Sequence, residues 1–391
     1  LTRPSQFRLL TLHYAFFQLS VALAGGFVGA YLLQLGFSLP AALVAYAGLL
    51  TTRFGLRFVS LAVVRRMGYR SAITLGAALS ALQFLPLMRA DEPIWLVAWL
   101  LVVSIAESLY WPVYHSAAAV IGGGARRGRE LGIRTAVGAV VGVVGPLVGG
   151  VLLSRFGEEV DFGIAAFFFL LSTLPILSLS RIPAGPVPSL RESVRGIDRA
   201  GIATFAADGW MASGLALTWP MVLFVALGSH YGAFGISNAI AGLVGAVTGI
   251  LCGRAIDRGD RDRYVIVVCL ALVVGFALRA CASWSPTAAT IANASGAAVA
   301  GIYVPLLMSV IYDRAKQTGA AYRFHFAAEA GWDMGAVAGC LSAAAVAWLT
   351  AIPSLAVLPA ALGVGAIYLS VRSRAVPVAP APPLVEVAAA H

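Results

Sequence analysis

The chain has 391 residues, of which 60% are hydrophobic and 11% charged, and its mean hydropathy is +0.88. Soluble domains carry about 25% charged residues, so a water-soluble globular fold is excluded and lipid is the expected solvent. A net charge of +10 would suggest nucleic acid in a soluble domain. Here nearly all of it lies in short loops between apolar runs, where membrane orientation and anionic headgroups account for it, and no nucleic-acid partner is expected.

A spanning helix needs about 20 apolar residues. In chain order the segments that qualify are 9–34, 40–64, 71–88, 93–120, 130–153, 162–179, 201–227, 231–252, 264–284, 287–312, 323–348 and 352–370. The first run is long enough to span and shows no cleavage pattern, so no signal peptide is expected. These segments predict an all-α membrane protein of twelve transmembrane helices in two six-helix bundles. Residues 1–179 form the first bundle, 180–200 a Pro-, Arg- and Ser-rich linker, 201–374 the second bundle and 375–391 a disordered Pro/Ala tail.

Orientation follows from the loops. Basic residues fall at 3 and 8; 65, 66 and 70; 126, 127 and 129; 181, 191, 195 and 199; 254, 258, 261 and 263; 314, 316 and 323; and 372 and 374, in every second loop. Only Arg89 and Arg155 occupy the opposite set. Cationic loops resist translocation, which predicts cytoplasmic termini and linker in a bacterial inner membrane. The four cysteines, Cys252, Cys269, Cys281 and Cys340, lie in apolar stretches without ligand or redox spacing. They read as packing residues.

The halves share traces of duplication. Tyr110-Trp111-Pro112 in the fourth segment matches Tyr303-Val304-Pro305 in the tenth, and Gly138 and Gly142 align with Gly331 and Gly335. Charge is unevenly spread: segments three, six and twelve have uncharged cores, and the ninth has only Arg279 near its outer end. Because lipid-facing charge is expensive, every third helix is expected to face lipid while the others line a cavity.

With twelve segments in two sets, the chain resembles the major facilitator superfamily over essentially its whole length. That family's cytoplasmic G-x-x-x-D-R-x-G-R/K pattern survives at Gly253-Arg254-Ala255-Ile256-Asp257-Arg258. The first-half copy is degraded to Val64-Arg65-Arg66-Met67-Gly68-Tyr69-Arg70. The resemblance implies the pseudo-symmetric fold, alternating access, and a conformational latch at Gly253, Asp257 and Arg258. Gly145-Pro146-Leu147-Val148-Gly149-Gly150 is similar to the antiporter motif of proton-coupled exporters in that family. Generic close packing by Gly145, Pro146, Gly149 and Gly150 is the other reading. The acid that many drug exporters place in the first helix is absent, and that segment offers only His13.

Six ionisable groups lie well inside the spans: Arg53, Arg57, Glu107, Asp208, Glu329 and Asp333. Facing lipid they would together cost on the order of 15–20 kcal/mol, so they must face a cavity or one another. Arg53 and Arg57 share a helix face, as an anion clamp or as ion-pair partners for Glu107. His325, Glu329 and Asp333 recur one turn apart. Repulsion between the two acids favours proton carriage, with His325 as relay, unless arginines neutralise each acid separately. Glu107 shares its face with Tyr110, Trp111 and Tyr114, which suits an organic cation or ordinary packing. Asp208 beside Trp210 is a further proton-coupling candidate, and Tyr303 and Trp332 complete the expected substrate contacts. His13 and His115 read as satisfied polar residues, since no metal-ligand spacing appears.

The leading function is proton-coupled export of a small organic cation or amphiphile by alternating access. The alternative is proton symport of an anionic or zwitterionic metabolite held by Arg53 and Arg57. A non-transporting receptor or lipid scramblase is a third reading. Neither enzyme activity nor a cofactor or metal is expected, and the expected partners are a small-molecule substrate, protons and the bilayer, with the chain acting as a monomer.

Overall fold

In the computed structural model, residues 3–121, 127–179, 182, 187–194, 199–256, 261–282 and 285–372 are described. The described residues are helical and contain no strand. The first bundle is built from α1 (Arg3–Leu23), α2 (Val28–Gln34), α3 (Leu39–Leu82), α4 (Phe84–Leu87), α5 (Pro93–Ile121), α6 (Arg127–Phe156) and α7 (Glu158–Leu177). A short helix, α8 (Leu190–Val194), follows. The second bundle contains α9 (Arg199–Ala212), α10 (Trp219–Ala226), α11 (Tyr231–Ile256), α12 (Arg261–Ala280), α13 (Pro286–Gln317), α14 (Ala321–Thr350) and α15 (Ala360–Arg372).

Nine helical stretches among the described residues are long and apolar enough to cross a membrane. The expected twelve is reached by counting Leu39–Leu87 as two and including the shorter apolar helices Val265–Ala280 and Pro353–Leu369. The second and third segments are two helices, as expected, joined directly at Gly68 and labelled together as α3. Gly68 has φ 78° and ψ 169°, a conformation that only glycine adopts cheaply, so the reversal sits on that residue rather than on a longer loop. A second irregularity precedes Pro220. The proline has no N–H to give the preceding turn and its ring crowds the carbonyl there, and Ser213–Thr218 widens into a π-helix that joins α9 to α10.

The pairing of helices shows the internal symmetry. Within the first bundle α1 packs on α6 and α7, and α3 on α5; within the second, α9 packs on α14 and α15, and α11 on α13. The bundles meet where α6 crosses α11 and, in the equivalent place, where α3 crosses α14. Small residues permit both kinds of contact. A Cβ on Gly145 would strike Ala22, and one on Gly149 the Leu23 carbonyl of α1. On the other side of the pseudo-twofold, Gly331 lies against Ile202 and Gly335 against Ala206 of α9. Gly145 and Gly149, like Gly331 and Gly335, thus lie against the first helix of their own bundle, whereas a Cβ on Gly138 or Gly142 meets nothing within 4 Å.

The interface is bridged at both ends. Away from the basic loops, Gln34 Nε2 donates to the Ser229 carbonyl at 3.0 Å, Phe27 packs edge-on against Phe234 at 5.2 Å, and Gly150 lies against Gly235. Toward the basic loops, Tyr69 meets Tyr322 at 5.2 Å and Phe58 meets Phe326 at 5.9 Å. At this end α8 is opened by a capping box: the Ser189 amide donates to Glu192 at 2.6 Å while the Glu192 amide donates to the Ser189 hydroxyl at 3.2 Å. Those bonds, with Arg65 and Arg323 adding, hold the Glu192 carboxyl below its usual range. The outward faces carry apolar side chains such as Leu251, Ile291 and Leu362, as lipid solvation requires.

Candidate functional site

Helical rise puts Arg53 about 21 Å below the start of α3 and Asp333 about 18 Å above the start of α14, so the two meet at mid-span. Asp333 accepts from Arg53 Nε at 2.7 Å, again from Arg53 Nη2, and through its other oxygen from Arg57 Nη2. Arg53 also donates through Nη1 to Glu107 on α5. The i,i+4 spacing of the arginines brings both guanidinium groups to one face. Arg53, Arg57 and Asp333 are 5%, 2% and 0% exposed, while the Glu107 side chain keeps 32% exposure. Two cations and two anions give a neutral network joining one bundle to the other. Within it, Arg57 Nε and Nη1 are buried without a hydrogen-bond partner.

Trp332 links this network to Asp208. The Arg53 guanidinium lies 5.2 Å from the Trp332 ring centroid, and the Trp332 indole N–H donates to Asp208 Oδ2 at 3.1 Å. Tyr303 donates to the other Asp208 oxygen at 2.7 Å. Asp208 thus takes neutral donors, and no salt bridge to it is found among the described residues. Trp210, its neighbour in sequence, instead donates its indole N–H to the Pro359 carbonyl at 2.9 Å and packs toward the C-terminal helices.

Glu329 and Asp333 share a face of α14 but have different partners. Asp333 takes both arginines, whereas Glu329 lies 3.7 Å from His115 Nε2 on α5. His115 Nδ1 meets the Tyr312 hydroxyl of α13 at 3.0 Å, and its ring stacks on His325 at 5.6 Å. His325 is 1% exposed with neither ring nitrogen hydrogen-bonded.

The aromatic frame expected around Glu107 turns elsewhere. Glu107 points to Arg53, while Tyr110 stacks on Phe17 of α1 at 3.8 Å and Tyr114 on Tyr14 at 5.3 Å. His13 donates from Nδ1 to the Ser172 carbonyl at 2.7 Å and accepts at Nε2 from Tyr110 at 3.0 Å, the satisfied core histidine the sequence suggested. Trp111 is half-buried and stacks on His115 at 5.4 Å. Gly253 belongs to α11, but Asp257 and Arg258, the rest of the expected latch, lie outside the described residues.

Three residues escaped the sequence reading of the charged interior. His115 stands eight residues after Glu107, two turns along the same helix, which was a usable signal. Asp161 was assigned to a loop, yet it sits in the first turn of α7, 0% exposed, with neither carboxylate oxygen hydrogen-bonded. Arg279, expected on a lipid-facing helix, is 5% exposed and turned inward over the Trp219 ring at 5.2 Å. Gly296 leaves the room for it, since a Cβ there would meet the guanidinium. Both charges lie in terminal turns, Asp161 in the first turn of α7 and Arg279 in the last turn of α12, and both are buried rather than exposed.

This architecture has known counterparts. The human organic anion transporter MFSD10 (TETRAN) superposes with a TM-score of 0.67 at 16% identity, over 95% of this chain and 99% of its own. The nucleoside transporter NupG gives 0.67 at 12% identity, over 94% and 99%. The E. coli fucose:proton symporter FucP gives 0.62 at 14% identity, over 94% and 98%. At such identities the likeness is one of fold. A search of curated protein sequences finds no match. The sequence profile of the Major Facilitator Superfamily matches residues 10–339. With that match spanning most of a helical chain whose two bundles are related by an internal twofold, the protein is a multi-pass membrane transporter, not an enzyme, and it belongs to the Major Facilitator Superfamily.

Proposed function

We propose that the protein is a proton-coupled carrier of a small organic anion or zwitterion, held between the bundles at Arg57 and Arg53. The observation that carries this reading is the pair of unpartnered N–H groups on buried Arg57. Unmet donors on a guanidinium in low dielectric are costly, and a carboxylate or phosphate oxygen satisfies them. The resting network is neutral, so an incoming anion adds one negative charge to a buried cluster. A proton on Asp333, Glu107 or Glu329 restores neutrality, which ties one proton to each anion. The partly exposed Glu107 gives solvent an edge on the cluster. Trp332 and Tyr303 line the way to Asp208, which suits the ammonium of a zwitterion. Termini on the cytoplasmic side, as the positive loops favour, complete the proposal.

A second reading, export of an organic cation, is favoured by Asp208, whose carboxylate has only the neutral donors Tyr303 and Trp332. The glycine motif of α6 adds less than its likeness to exporters suggests, because Gly145, Gly149 and Gly150 are each accounted for by a close helix contact.

Thermal shift of the purified chain against carboxylates, phosphates, amino acids and organic cations separates the two. A ligand at 100 times its dissociation constant stabilises by about 2.7 kcal/mol. Anions or zwitterions are expected to raise the melting temperature of the wild type and to lose at least about tenfold in affinity in Arg57→Lys, which lacks the planar fork. Stabilisation by cations alone, lost in Asp208→Asn and kept in Arg57→Lys, would overturn the anion reading in favour of export.

A further inference from the structure

His115 lies on the first bundle and reaches across to the second, to Tyr312 of α13 at Nδ1 and Glu329 of α14 at Nε2, with the His325 ring stacked beside it. These contacts sit between the mid-span ion network and the basic-loop end. There Tyr69 on Tyr322 and Phe58 on Phe326 close the interface with apolar and aromatic contacts that carry no charge. Of the salt bridges found between the two bundles among the described residues, the pair formed by His115 and Glu329 lies to the basic-loop side of the mid-span network.

We propose that His115 and Glu329 form a proton-operated latch that holds the basic-loop end closed. An imidazolium donates from both nitrogens, and His115 has an acceptor at each: the Tyr312 oxygen and the Glu329 carboxylate. His325, its neighbour, has none among the described residues, so of the two stacked rings His115 is the one built to hold the proton. Binding one proton to the imidazole, with the Tyr312 hydroxyl hydrogen turning away from Nδ1, converts a neutral ring beside a carboxylate into an ion pair across the interface. The groups that bear on this pair are Tyr312 from α13 and His325 from α14 at the histidine, and Arg57 and Arg53 from α3, Asp333 from α14 and Glu107 from α5, acting on Glu329. The hydrogen bonds that the arginines make go to Asp333 and Glu107, and the salt bridge found for Glu329 among the described residues is to the histidine. When the end opens, the pair separates, both groups hydrate, and the proton leaves to that side. The carboxylate is one that the proposed coupling uses, so the latch rests on that transport reading, and it adds His115 as the residue through which protonation reaches the interface.

Spin labels at Met67→Cys and Thr318→Cys, exposed positions on opposite bundles at this end, in a cysteine-replaced full-length protein in lipid nanodiscs, read the distance without any substrate. In the wild-type background the short-distance population is expected to grow several-fold as pH falls from about 8.5 to about 5.5, the range in which histidine titrates. His115→Gln and Glu329→Gln should each abolish that response, and the double variant should add nothing to either. His115→Lys, a fixed cation, should hold the short distance across the range and also guards against misfolding of the Gln variant. A wild-type pH response in His115→Gln, or in folded His115→Lys, would overturn the latch. Failure of every anion to bind leaves this readout intact, so the two proposals fail separately.

Discussion

Asp333 accepts from two guanidinium groups at the centre of a membrane protein, and its neighbour one turn away answers to a histidine. That division gives the two acids different partners: Asp333 has the arginines, and Glu329 has an imidazole that is a cation only when protonated. It also sets the consequence of removing one member. In Asp333→Asn two buried arginines lose their shared anion, and Glu107 reaches only Arg53. Breaking a buried pair by deleting one partner costs about 3–5 kcal/mol, so this variant should melt well below wild type. Arg53→Met and Arg57→Met combined with Asp333→Leu should recover much of the loss, because the fully buried charges are then removed together and the charge left behind, on Glu107, is part-exposed. A melting temperature for Asp333→Asn equal to wild type would mean the network is not closed in the resting state.

At the scale of the element, glycine decides where helices touch. Gly149 and Gly138 lie three turns apart on α6, yet a Cβ on Gly149 would run into the Leu23 carbonyl of α1 while one on Gly138 meets open space. Gly149→Ala must push backbone aside and should cost about 1–3 kcal/mol. Gly138→Ala removes backbone freedom from the unfolded chain and should be neutral or stabilising by up to about 1 kcal/mol. Thermal unfolding of the two variants in one detergent checks the contrast, and equal losses would count against the α1–α6 contact. The same logic explains what spacing alone hid. Small-xxx-small patterns occur at both Gly138/Gly142 and Gly145/Gly149, and only the tertiary contact distinguishes the pair packed on α1 from the other, of which Gly142 lies against Gly242 of α11.

For the whole molecule, the two bundles repeat one arrangement, and the alternation of charged loops implies which end lies in the cytoplasm. Cysteine at Arg191, exposed on the α8 segment, should resist a membrane-impermeant thiol reagent on intact cells, whereas cysteine at Glu92, exposed at the other end, should react, both in a cysteine-free background. Labelling of the Arg191 site from outside would invert the topology.

The helical class, the multi-pass membrane character, the family and the identity of most interior charges were all legible in the chain. Apolar length and loop charge act locally, and every residue in a span feels the same solvent. Partner choice was not legible. Whether Arg53 serves Glu107, Asp333 or a ligand depends on helices hundreds of residues apart meeting at one height, and a turn of about 100° per residue sends Tyr110 to α1 while Glu107 faces α3. Boundaries failed for a related reason: Asp161 and Arg279 look like loop or outer-end residues until packing buries them. Solvent is a property of sequence, whereas electrostatic partnership arises from the relative placement of helices, and only the assembled bundles set it.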